Sequence, residues 1–353
     1  MELAEFKKIF DPVLEDFLEN RINEFSKNTS DAFIKDFISY SKTLTLTGGK
    51  RVRPYIAYVM YVANGGKDIE NAIRLFISLE IFHMFALIHD DIMDKQNKRH
   101  GVDTIHAYVL KKLKEQKRTG DIENVARAQG ILLGDLFFSW AMEIFLDNRS
   151  FLPENISKAH DYFYKMVDEV CLGQILDIDT TTRESALEEL INEKTRLKTS
   201  RYTFVRPMQI GAHLANPENN LDQYSESLGT KLGIAFQIQD DLFDLTLTPD
   251  KKYKTVLSDM RTHQQTIFTQ FILDSGSKKN KSELLALWGS DLTPADRPRV
   301  INLFKSSGAL SYGIQEMNTN FEEALSVLEA SQLPRKYKIE LRELVNTIRN
   351  RTS

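Results

Sequence analysis

Apolar residues recur at three- and four-residue spacing along nearly the whole chain, the signature of helices that each bury one face. Phe6, Ile9, Phe10, Val13, Leu14, Phe17 and Leu18 trace one such face, and Ile34, Phe37 and Ile38 continue the pattern. Pro54 fits the first turn of a helix that runs through Tyr61 to a Gly65-Gly66 stop. Asp68 is placed to cap a long helix that reaches Asp94 without a breaker. Residues 111–118 read as a solvated basic stretch, with Gly120-Asp121 as a turn. Helices are predicted over 122–146 and 153–171, and Ser185 with Glu188 reads as the capping box of the next. Further helical patterns cover 199–214, 218–245, 264–273, 294–305, 309–328 and 334–348. No alternating pattern exceeds four residues, and there is neither a break in composition nor a repeat of fixed period. The expectation is a single all-α domain over residues 1–353. So many helices around one centre must fill the middle or leave a cavity there, and a large bundle around a central cavity is expected.

Composition narrows the class. Of 353 residues, 42% are hydrophobic and 27% charged, an ordinary soluble balance. The 46 basic and 50 acidic side chains leave a net charge of −4, which argues against a nucleic-acid partner. The one cysteine, Cys171, excludes an internal disulfide and a multi-cysteine zinc site and fits a reducing cytoplasm. The opening Met1-Glu-Leu-Ala-Glu-Phe-Lys-Lys mixes acids and bases, unlike a signal peptide. The most apolar run, 75–88, is interrupted by Glu80 and His83 and falls short of the ~20 residues of a membrane span, so none is expected.

Two segments carry the same message. Ala86-Leu-Ile-His-Asp-Asp-Ile-Met-Asp94 and Phe236-Gln-Ile-Gln-Asp-Asp-Leu-Phe-Asp244 each end an apolar helix in an Asp-Asp-x-x-Asp box. At ~100° per residue, Asp90 and Asp94 share a face and Asp91 lies close behind. Three carboxylates on one turn repel each other and oppose the dipole at a helix C-terminus, so a positive partner is required. Oxygen-only donors suit a hard cation, and Mg²⁺ held by one or two carboxylates keeps room for substrate phosphates. A lone box is most often a solvated acidic helix end. Two boxes, each behind a run of core-type residues, favour the metal. His83 falls in the same ~40° stripe as Asp90 and Asp94, where it either packs in the core or touches a ligand. Gly48-Gly49-Lys50-Arg51-Val52-Arg53-Pro54 places three cations behind two glycines at a helix start, where free N–H groups favour anions. Such a loop is common by itself; beside twin acidic boxes it reads as a second diphosphate site that needs no metal.

These motifs resemble those of the trans-prenyl diphosphate synthases, the chain-elongating isoprenoid synthases. The resemblance runs from about Phe33 to Arg351. It rests on Gly48–Pro54, His83, Asp90–Asp94, Arg99, Gly134-Asp135, Gly173-Gln-Ile-Leu-Asp177, Lys198-Thr199 and Phe236–Asp244, in the family's order. It implies an isoprenoid synthase fold and three Mg²⁺ ions between the acidic boxes and an allylic diphosphate. Asp90, Asp94 and Asp240 are the implied ligands, with Asp91, Asp241 and Asp244 in support. Arg99, Lys198 and Lys254 would hold the same diphosphate. Isopentenyl diphosphate would sit on Lys50, Arg53 and His83, with Phe236 against its hydrocarbon. Gln174 and Asp177 would line the metal side, and Thr199, Gln237 and the carbonyl of Lys198 would face the allylic cation. A homodimer is also implied.

The chemistry follows physically. Charge on the leaving diphosphate is taken up by metal and cations, so the allylic C–O bond ionises. Water must be excluded from the cation. The double bond of isopentenyl diphosphate attacks, and a proton leaves to the released diphosphate. Phe85 and Ala86, five and four residues before the first box, take the place of the family's chain-length floor. In the family an aromatic followed by a small residue favours geranylgeranyl diphosphate, with farnesyl diphosphate the alternative if Phe82, one turn deeper, closes the floor. Two departures stand out: His100 where the family has a second arginine, and His263-Gln264 where it has glycine and lysine. Each removes a fixed charge. The rival readings are a terpene cyclase of the same fold, which would lack the second acidic box, and a non-catalytic subunit of a heteromeric synthase, which would have lost acids from the boxes.

Overall fold

The computed structural model describes residues 1–146, 150–184, 188–246 and 257–351, and their architecture is all-α. The one sheet among the described residues is a two-residue antiparallel pair, β1 (Lys98–Arg99) with β2 (Val102–Asp103). Contacts gather into two compact units. One comprises Met1–Tyr58 and Lys67–Leu152; the other comprises Val59–Gly66 and the described residues from Pro153 onward.

The first unit holds α1 (Leu3–Lys27), α2 (Ala32–Leu46), the start of α3 (Val52–Ala63), α4 (Ile69–Met93), the β1–β2 hairpin, α5 (Ile105–Glu115) and α6 (Ile122–Leu146). In α1, Phe6, Phe10, Leu14 and Leu18 sit four apart and are fully buried, and Phe6 packs on Phe10 and Tyr55. Asp68 caps α4 by accepting from the Asn71 N–H, as its sequence predicts. From Ala72 to Phe82 the helix is buried on nearly every side, which marks it as a core helix. It packs along α6.

The second unit is built on α7 (Pro153–Thr180), α8 (Glu188–Thr195), α9 (Arg206–Ala215), α10 (Asp222–Thr246) and α15 (Ala309–Ala330). Around them lie α11 (Ser258–Arg261), α12 (Ile267–Ser275), α13 (Lys278–Leu287), α14 (Arg297–Ser306) and α16 (Arg335–Arg349). Between α8 and α9 the backbone widens into a π-helix over Arg196–Val205 without breaking. Glycines let the chain segments close: a Cβ on Gly173 would lie 2.6 Å from the Lys198 backbone nitrogen, and one on Gly233 would lie 2.2 Å from the Ser200 Cα. A secondary core of Phe268, Ile272, Leu284, Trp288, Val300, Leu303 and Phe304 stabilises the C-terminal helices.

The sequence reading needs several corrections. The basic stretch at 111–118 is half helix, because α5 continues to Glu115 with Val109 and Leu113 buried. The helix begun at Pro153 does not stop at Cys171 but runs to Thr180, carrying Gln174 and Asp177 with it. Neither α13 nor the short α11 was anticipated. Ser185, read as a cap, lies outside the described residues. Two helices, Ile69–Met93 and Ile122–Leu146, are long and apolar enough to cross a membrane by length and composition. The interruption at Glu80 and His83 therefore does not settle the matter. Burial of most of its apolar stretch is what marks α4 as a core helix, whereas the apolar stretch of α6 is less buried.

Candidate active site

In the first unit, the loop before α3 is wound tightly. Gly48 and Arg51 both take left-handed backbone, with φ of 78° and 55°. Lys50 is exposed, Arg53 half-buried in the first turn of α3, and Arg51 buried. Arg51 is therefore no substrate cation. Its Nε donates to Asp11 Oδ1 (2.7 Å), and its Nη1 donates to Glu80 Oε1 (2.6 Å) and to the Thr45 carbonyl (3.1 Å).

His83 is half-buried on α4, two turns before the acidic box. Burial, reinforced by Arg53, Arg99 and Arg51, holds its imidazole well below the ordinary histidine value. It is neutral at physiological pH. Asp90 and Asp91 lie in the last turn of α4, and Asp94 caps it, followed by Lys95 in left-handed backbone. Arg99 grips Asp91 with both Nε (3.0 and 3.1 Å) and Nη2 (2.6 Å). Burial nonetheless pushes the Asp91 carboxyl up to about 6, against the pull of Arg99. Asp90 is more open, 4.0 Å from Arg99 Nη2.

Arg99 is aimed by a two-residue hairpin turn, His100-Gly101, in which both residues have positive φ (50° and 84°). Histidine tolerates that backbone better than most residues. Its ring lies against Gly48, where a Cβ would come within 2.8 Å. The first departure from the family pattern thus stands beside the glycine loop. Gly134, another motif glycine, makes room for His89, whose Nε2 lies 3.0 Å from the Ile131 carbonyl.

Phe85 and Ala86 are half-buried on α4. Phe85 meets Phe82 (5.3 Å between centroids), His89 (4.8 Å) and Phe138 of α6 (5.2 Å). The ring is thus one member of an aromatic group in which Phe138 is as close as Phe82.

In the second unit, the π-helix displays Lys198 and Thr199, and the extra residue per turn gives each a direction an α-helix would not. Lys198 Nζ donates to Asp177 Oδ2 (2.6 Å), and Lys194 Nζ lies 2.9 Å from Asp177 Oδ1. Burial works to raise the Asp177 carboxyl, but the two lysines outweigh it and hold it below its ordinary value. The Thr199 hydroxyl donates to Gln237 Oε1 (2.6 Å), and Gln237 Nε2 donates to Asp241 Oδ1 (2.8 Å). Burial pushes Asp241 up to about 7. Asp244 accepts from the Ser258 N–H (2.9 Å), the Ser258 hydroxyl (2.6 Å) and the Asp259 N–H (3.1 Å). Asp240 is the most open of this box and pairs with Arg351 Nη2 (2.6 Å). The Arg351 guanidinium also lies 4.0 Å over the Phe236 ring, the face that the resemblance gives to a hydrocarbon. Gln174 is half-buried one turn before Asp177. His263, with φ of 58°, stacks on Trp288 at 3.8 Å and lies 2.9 Å from the Thr181 carbonyl through Nδ1. That packing gives His263 a structural place; nothing in the structure explains Gln264. Lys254 lies outside the described residues.

Sequence reasoning missed Asp11, Glu80, Phe138, Lys194 and Arg351. Only Glu80 left a signal, as a carboxylate inside the most apolar helix.

Both boxes repeat one arrangement. The middle acid is buried and held by a polar donor, Arg99 or Gln237, while the first acid is the more exposed and pairs with an arginine, Arg99 for Asp90 and Arg351 for Asp240. Among the described residues no three His, Cys, Asp or Glu side chains converge as a ready-made metal cage. The donors still fit Mg²⁺, which takes one or two carboxylates and completes its shell with water and phosphate oxygens.

All-α architecture with twin acidic helix ends places the chain among the prenyltransferases. The family model for polyprenyl synthetase matches residues 35–303, and the chain belongs to that family. It is 31% identical over 283 residues to a geranylgeranyl diphosphate synthase from Sulfolobus acidocaldarius, covering 78% of this chain and 80% of that protein. It is 29% identical over 318 residues to a geranylfarnesyl diphosphate synthase from Natronomonas pharaonis, covering 84% and 86%. Among solved structures, a geranylgeranyl pyrophosphate synthase from Corynebacterium glutamicum, complexed with isoprenyl diphosphate and magnesium, superposes with a TM-score of 0.92. The identity is 28%, and the match covers 99% of this chain and all of that one.

Proposed function

We propose that this chain condenses isopentenyl diphosphate with an allylic diphosphate to make geranylgeranyl diphosphate, in a Mg²⁺-dependent reaction. The observation that carries the reading is the duplicated acid arrangement, with a more exposed, arginine-paired Asp90 or Asp240 beside a buried, hydrogen-bonded Asp91 or Asp241. Asp90, Asp94 and Asp240 are the metal ligands, for three ions when diphosphate is bound. Asp91, Asp241, Asp244 and Asp177 hold the donors and lysines around them. When bound, Mg²⁺ neutralises charge on the departing diphosphate.

The chain's own residues do the rest. Lys198 and Arg99 add fixed positive charge on the leaving group, and Lys254 is assigned the same work. The Thr199 hydroxyl proton is committed to Gln237, so the oxygen turns its lone pairs outward, and with the Lys198 carbonyl it stabilises an allylic cation. Lys50 and Arg53 hold the diphosphate of isopentenyl diphosphate. Neutral His83 donates one hydrogen bond to it without competing for its charge. Phe236 takes the hydrocarbon, which requires Arg351 to yield its place. Gln174 lines the metal side with Asp177.

One family model runs across both compact units, which supports a single synthase domain over the whole chain. Exposed apolar residues on α6 (Ile131, Leu132) and on α7 (Leu172, Ile175, Ile178) support a homodimer, whose mass light scattering would report. A cytoplasmic location is part of the same reading.

The deciding experiment incubates purified protein with Mg²⁺, isopentenyl diphosphate and each allylic diphosphate in turn. A twenty-carbon diphosphate is expected. A fifteen-carbon end product would favour the farnesyl alternative, in which Phe82, buried beside Phe85 and one turn deeper than Ala86, closes the floor.

A further inference from the structure

The family model begins at residue 35, so α1 lies outside the matched span, yet two of its residues grip the glycine loop. Lys7 and Asp11 are four apart and share a helix face. Lys7 Nζ donates to the Gly49 carbonyl at 2.9 Å, and Asp11 accepts from Arg51 Nε at 2.7 Å. The two contacts fall on either side of Lys50. Arg51 is a non-glycine residue in left-handed backbone, a conformation that persists only when its surroundings over-determine it. Here they do. The Arg51 side chain is 2% exposed and lies under the loop, and a Cβ on Gly49 would lie 1.9 Å from its Nη1. Glu80 fixes the same guanidinium to α4, one turn before His83. Arg51 therefore ties the loop to the helix that carries the third member of the proposed diphosphate site.

The geometry points to Asp11, assisted by Lys7, as a positioning residue for that site. It holds Arg51 in its left-handed conformation, so that Lys50 and Arg53 meet isopentenyl diphosphate already oriented. Asp11 touches no substrate. Nor is it needed to dock α1, which is held by Phe6, Phe10, Leu14 and Leu18 and by Lys42 with Glu15. This inference rests on the reading of the loop as the isopentenyl diphosphate site. It differs in kind from an anchoring role: loss of preorganisation weakens one substrate, whereas loss of an anchor weakens the fold.

Steady-state kinetics of the full chain with Mg²⁺, varying each substrate at saturating levels of the other, separate the two. Asp11→Asn should raise KM for isopentenyl diphosphate by roughly tenfold, with kcat within a factor of two and KM for the allylic diphosphate unchanged. Lys7→Met should act in the same direction, and Asp11→Glu should recover most of the loss. Lys42→Met, which removes exposed ion pairs between α1 and α2 without touching the loop, should leave both KM values alone. An Asp11→Asn enzyme with wild-type KM for isopentenyl diphosphate would overturn the inference. So would one in which kcat and both KM values worsen together as the melting temperature falls. Lys50→Ala tests the underlying reading by itself. If it leaves KM for isopentenyl diphosphate unchanged, the loop is not the site. If it raises KM while Asp11→Asn does not, the site stands and the positioning role falls.

Discussion

Phe85→Ala is the perturbation for which the structure gives a magnitude. The ring packs on Phe82, Phe138 and His89, and truncation to alanine removes a phenyl group with about as many carbons as one five-carbon unit. Burying five more carbons at ~0.8 kcal/mol each would gain a longer product about 4 kcal/mol if the whole unit were enclosed. Phe85 is only half-buried, so about half of that, ~2 kcal/mol, is a reasonable share; at 1.4 kcal/mol per decade it is about thirtyfold in the product ratio. The same truncation should cost about 3 kcal/mol of stability, the low end for Phe→Ala, which a domain of ordinary stability survives. The assay is mass analysis of dephosphorylated products from matched turnovers. The expected result is a shift of the main product from twenty to twenty-five carbons. Phe138→Ala should shift it in the same direction, because the two rings close the same space from α4 and α6. Ala86→Phe should shorten the product. Wild-type chain length in Phe85→Ala and Ala86→Phe alike would refute the reasoning, since these positions would then be packing residues with no view of the product.

Three further outcomes are expected. Asp90→Ala and Asp240→Ala should each lower turnover by orders of magnitude, because each removes the more exposed carboxylate from a box; near-wild-type rates in both would remove the metal assignment. Thr199→Val should lower kcat far more than either KM if the hydroxyl has the proposed role at the cation, because it deletes the oxygen and keeps the shape; equal effects on kcat and KM would point to a binding role. His83 has a folded-state pKa well below its unfolded value of about 6.5, so the folded form binds fewer protons, and stability is lost as pH falls through and below that value. His83→Gln should therefore shrink the drop in melting temperature between pH 7.5 and pH 5.5; an unchanged drop would mean that His83 is not held neutral.

Much of the fold was legible because helical periodicity is local. Ile122–Leu146 coincides with its predicted bounds, and Asp68 caps α4 as its type and position require. The acidic boxes stood out because they occur twice, each behind a run of core-type residues; the glycine loop gained meaning only beside them, and Lys198-Thr199 only through the family resemblance. What the sequence hid is non-local. Arg51 reads like its neighbours Lys50 and Arg53, and only the approach of Asp11, forty residues away, and of Glu80 shows that it is buried and spent on structure. The π-helix at Arg196–Val205 leaves no clear mark in periodicity, since the widened turns shift the register by only a residue or two. Phe138 looked like any core phenylalanine until α6 packed along α4 and brought it to Phe85. His100 and His263 looked like losses of charge. The structure shows that each also occupies a positive-φ position with a ring contact of its own, on Gly48 and on Trp288.

The central claim is a chain elongation that consumes isopentenyl diphosphate. It is tested most directly by giving the purified chain radiolabelled isopentenyl diphosphate with farnesyl diphosphate, with and without Mg²⁺, and following label into products. The expected result is one labelled twenty-carbon diphosphate, formed only with the metal. Release of hydrocarbon or alcohol from farnesyl diphosphate with the label left untouched would contradict it and indicate a cyclase. Failure of the chain alone to turn over any allylic diphosphate, with activity appearing only beside another subunit, would contradict it in favour of a non-catalytic partner.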